Sequence, residues 1–250
     1  MLLGLRSDGL IGGNLFEKAV ILKEHDYDFM ELVLSEENVN AYDAAWVKAI
    51  HRISNTANLP MLTLSMACAR RLMEADDDTL DLYAQRLLTA VRYAAQFGSF
   101  SVLVASVEPS TDIEAQLPRF RRAFLPAADY AAHHGIALCL EPVAAYSHAA
   151  LARLVRTLGH PGIRLYYDMG NCMNAGEDPV EQAWETGDLI GAVHIKGIHD
   201  YEFLDMPLAG ILMALSYHRF DRTGCLEIEP FGENDHLREA MITLTALGYR

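Results

Sequence analysis

The chain lacks several features that would assign it to a broad class of proteins. It has no Cys-X-X-Cys pair, and three of its four cysteines lie in or beside apolar runs, where a reduced cysteine behaves as a small core residue. We therefore expect neither a structural zinc site nor a disulfide framework. No apolar run approaches the length of a membrane span, and the N-terminus lacks the pattern of a signal peptide. These absences predict a cytoplasmic protein without a membrane partner.

Positive charge is also scarce. The chain has 20 lysines and arginines against 34 acidic residues, which gives a formal net charge of -14. Because such a surface repels phosphate backbones, nucleic acid is a poor candidate partner. No glycine fingerprint follows the first apolar run, and Gly12-Gly13 alone is too weak to indicate a dinucleotide-binding fold.

Short apolar runs recur along the whole chain. Several are continuous rather than alternating, as expected for parallel strands that are covered by helices. There are eight: Leu2–Leu5, Phe29–Val33, Met61–Ser65, Ser101–Val107, Ile136–Leu140, Ile163–Tyr167, Leu189–Ile195 and Cys225–Ile228.

Amphipathic helical patterns separate these runs. Thr79–Phe97 places apolar residues three and four apart, and Phe120–His134 is similar. Eight strand–helix units of roughly 30 residues predict an α/β protein, and the length of 250 residues is typical of a single (β/α)8 TIM barrel over residues 1–250. A doubly wound open sheet is the structural alternative.

Four consecutive apolar runs end in a potential metal ligand. The residues are Glu141, Asp168, His194 and Glu229, at spacings of 27, 26 and 35 residues. Each spacing is about one strand–helix unit, and active sites of such barrels lie at the carboxyl ends of the strands. We therefore expect the four side chains to lie side by side on the barrel rim.

A divalent cation would resolve the repulsion among three neighbouring carboxylates. Oxygen donors with one imidazole favour Mn²⁺, with Mg²⁺, Co²⁺ or Zn²⁺ as alternatives. Glu227 shares a strand face with Glu229, so it is an alternative ligand or a buried partner of Arg164. Glu229 is favoured because it is the last residue before Pro230, where the strand must stop.

Short motifs at these positions resemble the xylose isomerase-like TIM-barrel family, the sugar phosphate isomerase/epimerase group. The motifs are LEP at 140–142, YDMGN at 167–171, VHIKG at 193–197 and EIEP at 227–230, with GEDP at 176–179 and YDFMEL at 27–32. The resemblance covers most of the chain. It is specific for the superfamily and not for one reaction.

The resemblance implies one divalent metal bound by Glu141, Asp168, His194 and Glu229. It also implies that Glu141 and Glu229 face each other as an acid/base pair and that Lys196 contacts a substrate oxygen. Asn171 and His199 are further candidates for substrate binding. Many members of the family have His at the position of Asn171.

Two departures from the family pattern bear on function. Pro207-Leu-Ala-Gly210 stands where many members carry a Gly-Glu-Gly loop, so the usual acidic residue is missing there. The apurinic endonucleases of the superfamily need extra histidines on strands three and four. Met61–Ser65 and Ser101–Val107 contain none, which argues against DNA repair.

The leading hypothesis is a metal-dependent isomerase or epimerase of a small sugar or keto-polyol in carbohydrate metabolism. The reaction would be proton abstraction next to a metal-bound carbonyl, through an enediolate. A dehydratase or lyase acting on an inosose or keto-glycoside is the first alternative. A catalytically degenerate barrel that acts as a binding subunit is the second. The sequence leaves homo-oligomerisation open.

Overall fold

The protein folds as a closed barrel of eight parallel strands surrounded by helices, in a computed structural model that describes residues 1–10, 12–66, 76–105, 113–143, 147–197, 205–228 and 235–250. Each strand pairs with the next along the chain, and β1 closes the barrel against β8 with Leu3 beside Gly224. The predicted (β/α)8 TIM barrel is confirmed, and the doubly wound open sheet is wrong because a sheet of that kind has two free edges.

Each of the eight apolar runs contains or overlaps one strand. The strands are β1 (Leu2–Arg6), β2 (Phe29–Val33), β3 (Thr63–Met66), β4 (Ser101–Ala105), β5 (Ala137–Glu141), β6 (Ile163–Asp168), β7 (Ile190–Ile195) and β8 (Thr223–Leu226). The last strand differs from its predicted bounds. It ends at Leu226, before Glu227, and so it stops earlier than the argument from Pro230 assumes.

Helices in the described residues connect the strands and cover the outside of the barrel. They are α1 (Leu15–Glu24), α2 (Glu36–Asn40), α3 (Ala44–Ala57), α4 (Asp77–Phe97), α5 (Ile113–His133), α6 (His148–Leu158), α7 (Met169–Asn174), α8 (Pro179–Thr186), α9 (Leu208–Tyr217) and α10 (Asp235–Ala246). The predicted helix over Phe120–His134 begins earlier, at Ile113. A 3₁₀ turn at Gly187–Leu189 leads into β7.

Polar caps fix the helices that follow β5 and β6. Ser147 caps α6, and Asp178 caps α8 with Pro179 in the first turn. Glu177 of the GEDP motif accepts hydrogen bonds from the Ser147 hydroxyl and from the backbone N–H groups of His148 and Ala149. The segment after β6 is thereby tied to the start of α6.

Apolar packing falls into two compartments. The larger one lies between the strands and the helices. No helix of the described residues is long and apolar enough to cross a membrane. The smaller one lies inside the barrel and includes Leu103, Cys139, Tyr166 and Ala192. Above it, towards the carboxyl ends of the strands, the barrel interior turns polar, and this change positions the candidate site.

Candidate metal centre at the barrel mouth

Three of the predicted ligands lie together at the carboxyl ends of neighbouring strands. Glu141 and Asp168 are the last residues of β5 and β6, and Asp168 pairs in register with His194 on β7. All three are buried, Asp168 and His194 completely. The strand spacing therefore predicted their neighbourhood correctly.

Glu227 is the fourth member of the cluster. The four side chains Glu141, Asp168, His194 and Glu227 each offer a ligand atom within 4.8 Å of the others. His194 Nδ1 is at the centre: it lies 2.7 Å from Glu141 Oε1, 3.0 Å from Glu227 Oε2 and 3.6 Å from Asp168 Oδ2. The predicted ligand Glu229 lies outside the described residues, as does His199.

The donor set fits a divalent metal. Burial, with Glu227 and Asp168 nearby, raises the pKa of Glu141 to about 7. Burial alone would lower the pKa of His194, but the charges around it raise that pKa well above its usual value. The metal-free cluster therefore holds protons on these side chains. A divalent cation would displace them. Three carboxylates and an imidazole are also ligands that Mn²⁺ accepts.

Two basic side chains neutralise part of this acidic cluster. Lys196 Nζ lies 3.0 Å from Asp168 Oδ2 and 2.9 Å from Glu227 Oε2. The Arg6 guanidinium pairs with the other oxygen of Glu227, and Asp8 holds it from the outer side through two hydrogen bonds of 3.0 and 2.8 Å. Within the described residues, Glu141 has no lysine or arginine partner at ion-pair distance.

The two described substrate-binding candidates contact protein groups at the site. Lys196 is paired with two acids, as above. The Asn171 side-chain amide donates to the Pro142 carbonyl at 2.8 Å and to Asp168 Oδ2 at 3.0 Å, while its backbone N–H donates to Asp168 Oδ1. Asn171 thus fixes Asp168. The alternative that pairs Glu227 with Arg164 is wrong, because Arg164 donates to the Asp188 carbonyl and Arg6 is the arginine that pairs with Glu227.

Sequence reasoning missed a buried glutamate beneath the cluster. Glu31 of β2 is completely buried, and its Oε2 accepts hydrogen bonds from Thr63 at 2.9 Å and Tyr166 at 2.7 Å. Its Oε1 lies 3.2 Å from His194 Nε2. Glu31 is the sole charged residue within the apolar run Phe29–Val33, and a buried strand containing one charge was the available signal.

A cleft opens beside the cluster at the carboxyl ends of β1 and β2. Ser7, Asp8, Lys18, Asn38 and Trp46 are among its lining residues. Ser7 and Asp8 follow Arg6 directly, so the cleft lies on the side of the mouth opposite β5 and β6. Aliphatic side chains, Leu15, Leu32 and Val33, complete its wall.

The fold and this polar mouth define a (β/α)8 barrel with a buried acidic site. The family model described as xylose isomerase-like TIM barrel matches residues 20–249. The chain belongs to this family.

Solved structures with the same fold include several sugar epimerases. A 3-keto-D-glucoside 4-epimerase from E. coli superposes with a TM-score of 0.79 at 16% identity, covering 98% of this chain and 99% of the other. A D-psicose 3-epimerase from Clostridium cellulolyticum, solved with D-tagatose, gives 0.82 at 14% identity, covering 100% and 99%.

A D-allulose 3-epimerase from Methylomonas, solved with D-allulose, gives a TM-score of 0.78 at 16% identity, covering 98% and 96% of the two chains. No curated protein sequence matches this chain significantly. At these identities the structural matches establish the fold, and the reaction has to be argued from the site.

Proposed function

We propose that the protein is a divalent-metal-dependent isomerase or epimerase acting on a small sugar or keto-polyol. The observation that carries the proposal is the cluster of Glu141, Asp168, His194 and Glu227, three of them buried and Glu227 half-buried, at the end of the barrel where active sites of this fold lie. Epimerase activity among the structural neighbours supports the reaction class.

A divalent cation bound there would supply Lewis acidity, which makes a C–H bond next to a substrate carbonyl easier to deprotonate. Asp168, His194 and Glu227 would hold that cation, with Glu141 beside it. Asp168 is fixed by Asn171, and His194 is fixed by Glu31. Mn²⁺ suits this donor set, and Mg²⁺, Co²⁺ and Zn²⁺ are the alternatives.

Glu141 is the general base that the geometry favours. Asp168 and Glu227 both pair with Lys196, whereas Glu141 has no lysine or arginine partner among the described residues. A carboxylate without such a counter-charge is suited to take and return a proton. In the metal-free cluster, burial raises the pKa of Glu141 to about 7. Glu229 stays the predicted opposite member of the pair, and Lys196 and His199 stay predicted contacts for substrate oxygens.

Incubation of the Mn²⁺-loaded protein with a panel of ketoses and a 3-keto-glucoside in deuterated water tests the reaction. We expect deuterium at the carbon next to the carbonyl, with a new isomer or epimer as product. Loss of water or of an aglycone would instead identify the dehydratase or lyase. No exchange with any substrate, despite bound metal, would support a binding subunit.

Glu141→Gln is the matched variant for this experiment. We expect its exchange rate to fall roughly 10²–10⁴-fold, the range that a general base contributes. Glu185→Gln, an exposed change on α8, is the control and should exchange as the wild type does. Equal rates in Glu141→Gln and the wild type would contradict the assignment of the base.

A further inference from the structure

The imidazole of His194 is held from both sides. Its Nδ1 faces the carboxylates of the candidate metal centre, and its Nε2 lies 3.2 Å from Glu31 Oε1 on the opposite side of the barrel interior. Both residues are completely buried. The tilted ring of Tyr166 packs against the imidazole with centroids 4.3 Å apart. Water therefore has no access to either side of the ring.

Glu31 is itself fixed from below. Thr63 and Tyr166 both donate hydrogen bonds to Oε2, so Oε1 is directed towards His194. The Arg6 Nε lies 3.9 Å from the same Oε1 and adds positive charge near it. These contacts come from β1, β3 and β6, and they leave the carboxylate little freedom to rotate.

We propose that Glu31 is the positioning residue of the metal centre and sets which nitrogen of His194 binds the cation. With a cation among Glu141, Asp168 and Glu227, the Glu31 acceptor would favour the tautomer that carries the proton on Nε2, which leaves the Nδ1 lone pair to bind the cation. A carboxylate behind a ligating histidine also raises its basicity and restricts its rotation. The inference rests on the metal site of the proposed function.

A purely structural role is the competing explanation for Glu31. A buried carboxylate with three partners affects folding whether or not a metal binds, and its removal costs stability. Stability alone therefore does not separate the two roles. Metal affinity and the protonation of the His194 nitrogens distinguish the two roles. A purely structural role would change neither quantity in a folded protein.

Glu31→Gln keeps the shape of the side chain and removes its charge, while Glu31→Leu removes the acceptor. Thr63→Val is the matched control, since it deletes a hydrogen bond to Glu31 and leaves the contact with His194 in place. We expect Mn²⁺ affinity to fall roughly 10–100-fold in the Glu31 variants, the range for groups behind a ligand, and to change far less in Thr63→Val.

The tautomer is read directly from long-range ¹H–¹⁵N correlations of His194 in the Zn²⁺-loaded protein. We expect a protonated Nε2 and a metal-bound Nδ1 in the wild type. A wild type that binds no metal would refute the metal site itself. Normal metal binding with a protonated Nδ1, or a folded Glu31→Gln protein with wild-type Mn²⁺ affinity, would overturn the role of Glu31 alone. If Glu31→Leu fails to fold, the wild-type correlations and Glu31→Gln still decide the question.

Discussion

The two sides of the barrel mouth contribute differently to the site. The arc from β5 to β8 supplies the candidate ligands Glu141, Asp168, His194 and Glu227. The arc from β1 to β3 supplies Arg6, which contacts Glu227 where β1 adjoins β8, and Glu31, which contacts His194 across the barrel interior. Ligands on one arc are thus held in place by charges on the other. We call β5–β8 the ligand arc and β1–β3 the support arc.

The largest expected effect separates Glu227 from Glu229 on the ligand arc. Because Glu227 Oε2 lies 3.0 Å from His194 Nδ1, we expect Glu227→Gln to abolish measurable Mn²⁺ binding. Glu229→Gln, the matched change two residues along, should keep the metal and lose turnover if Glu229 is an acid/base residue. Mn²⁺ calorimetry and steady-state rates on both variants measure this. Metal loss in Glu229→Gln with retention in Glu227→Gln would reverse the two assignments.

A change on the support arc should reduce the stability of the metal-free protein. Arg6→Met leaves Glu227 without its arginine partner. Because the pair is only partly buried and Lys196 still contacts Glu227, we expect a loss of about 3 kcal/mol, the lower end of the range for breaking a buried pair from one side. Saturating Mn²⁺ should recover part of this loss, because a bound cation stabilises the folded state and replaces the missing positive charge. Urea unfolding with and without Mn²⁺ measures both quantities.

The control for Arg6→Met is Arg122→Met, which breaks pairs with Asp81 and Asp77 on the protein surface. Exposed pairs are screened by solvent, so the loss of stability should be much smaller and unaffected by Mn²⁺. Equal losses in the two variants, or no recovery of Arg6→Met by the metal, would contradict a support arc coupled to the site.

The sequence predicted most of the ligands on the ligand arc but not the residues of the support arc that contact them. Glu141, Asp168 and His194 each end an apolar run, so counting strands was enough to bring them together. Arg6 also ends a run, but its partner Glu227 is 221 residues away, and Glu31 lies 163 residues from His194. The Arg6–Glu227 contact forms where β1 closes the barrel against β8, and the Glu31–His194 contact crosses the barrel interior. Both depend on register and tilt, which the spacing of residues along one chain does not specify.

The two glutamates that follow β8 show the same limit at short range. On a strand that continued to Pro230, Glu227 and Glu229 would share a face, so the choice between them depended on where the strand ends. β8 ends at Leu226, and the Glu227 N–H then donates to the Ile195 carbonyl. This hydrogen bond holds the Glu227 backbone against β7, where the Glu227 side chain contacts His194 and Lys196. The position of Pro230, four residues beyond Leu226, did not predict where β8 ends.

A second buried histidine shows what burial does when no carboxylate among the described residues is paired with the ring. His148 of α6 is completely buried, its Nε2 lies 3.2 Å from the Thr186 hydroxyl, and its Nδ1 has no hydrogen-bond partner among the described residues. Burial lowers its pKa to about 4, whereas the charges around His194 raise the pKa of that residue. Partners, rather than burial, therefore separate the site histidine from a core histidine.

The smallest expected effect follows from this lowered pKa. The unfolded chain takes up the His148 proton near pH 6.5 and the folded protein near pH 4, so stability should fall as the pH drops between these values, by roughly 3 kcal/mol in total. Urea unfolding between pH 4 and 7 measures the slope, and His148→Leu is the variant that lacks it. An equal slope in His148→Leu would show that other groups cause the loss.

The measurement that tests the metal centre most directly is calorimetric titration of Mn²⁺ into the metal-free protein and into His194→Ala. The four clustered ligand atoms predict one bound ion per chain in the wild type, with protons released below pH 7 as the raised pKa of Glu141 requires, and a large loss of affinity in His194→Ala. No binding to the wild type, or equal affinity in a folded His194→Ala protein, would contradict a metal centre at the mouth of this barrel.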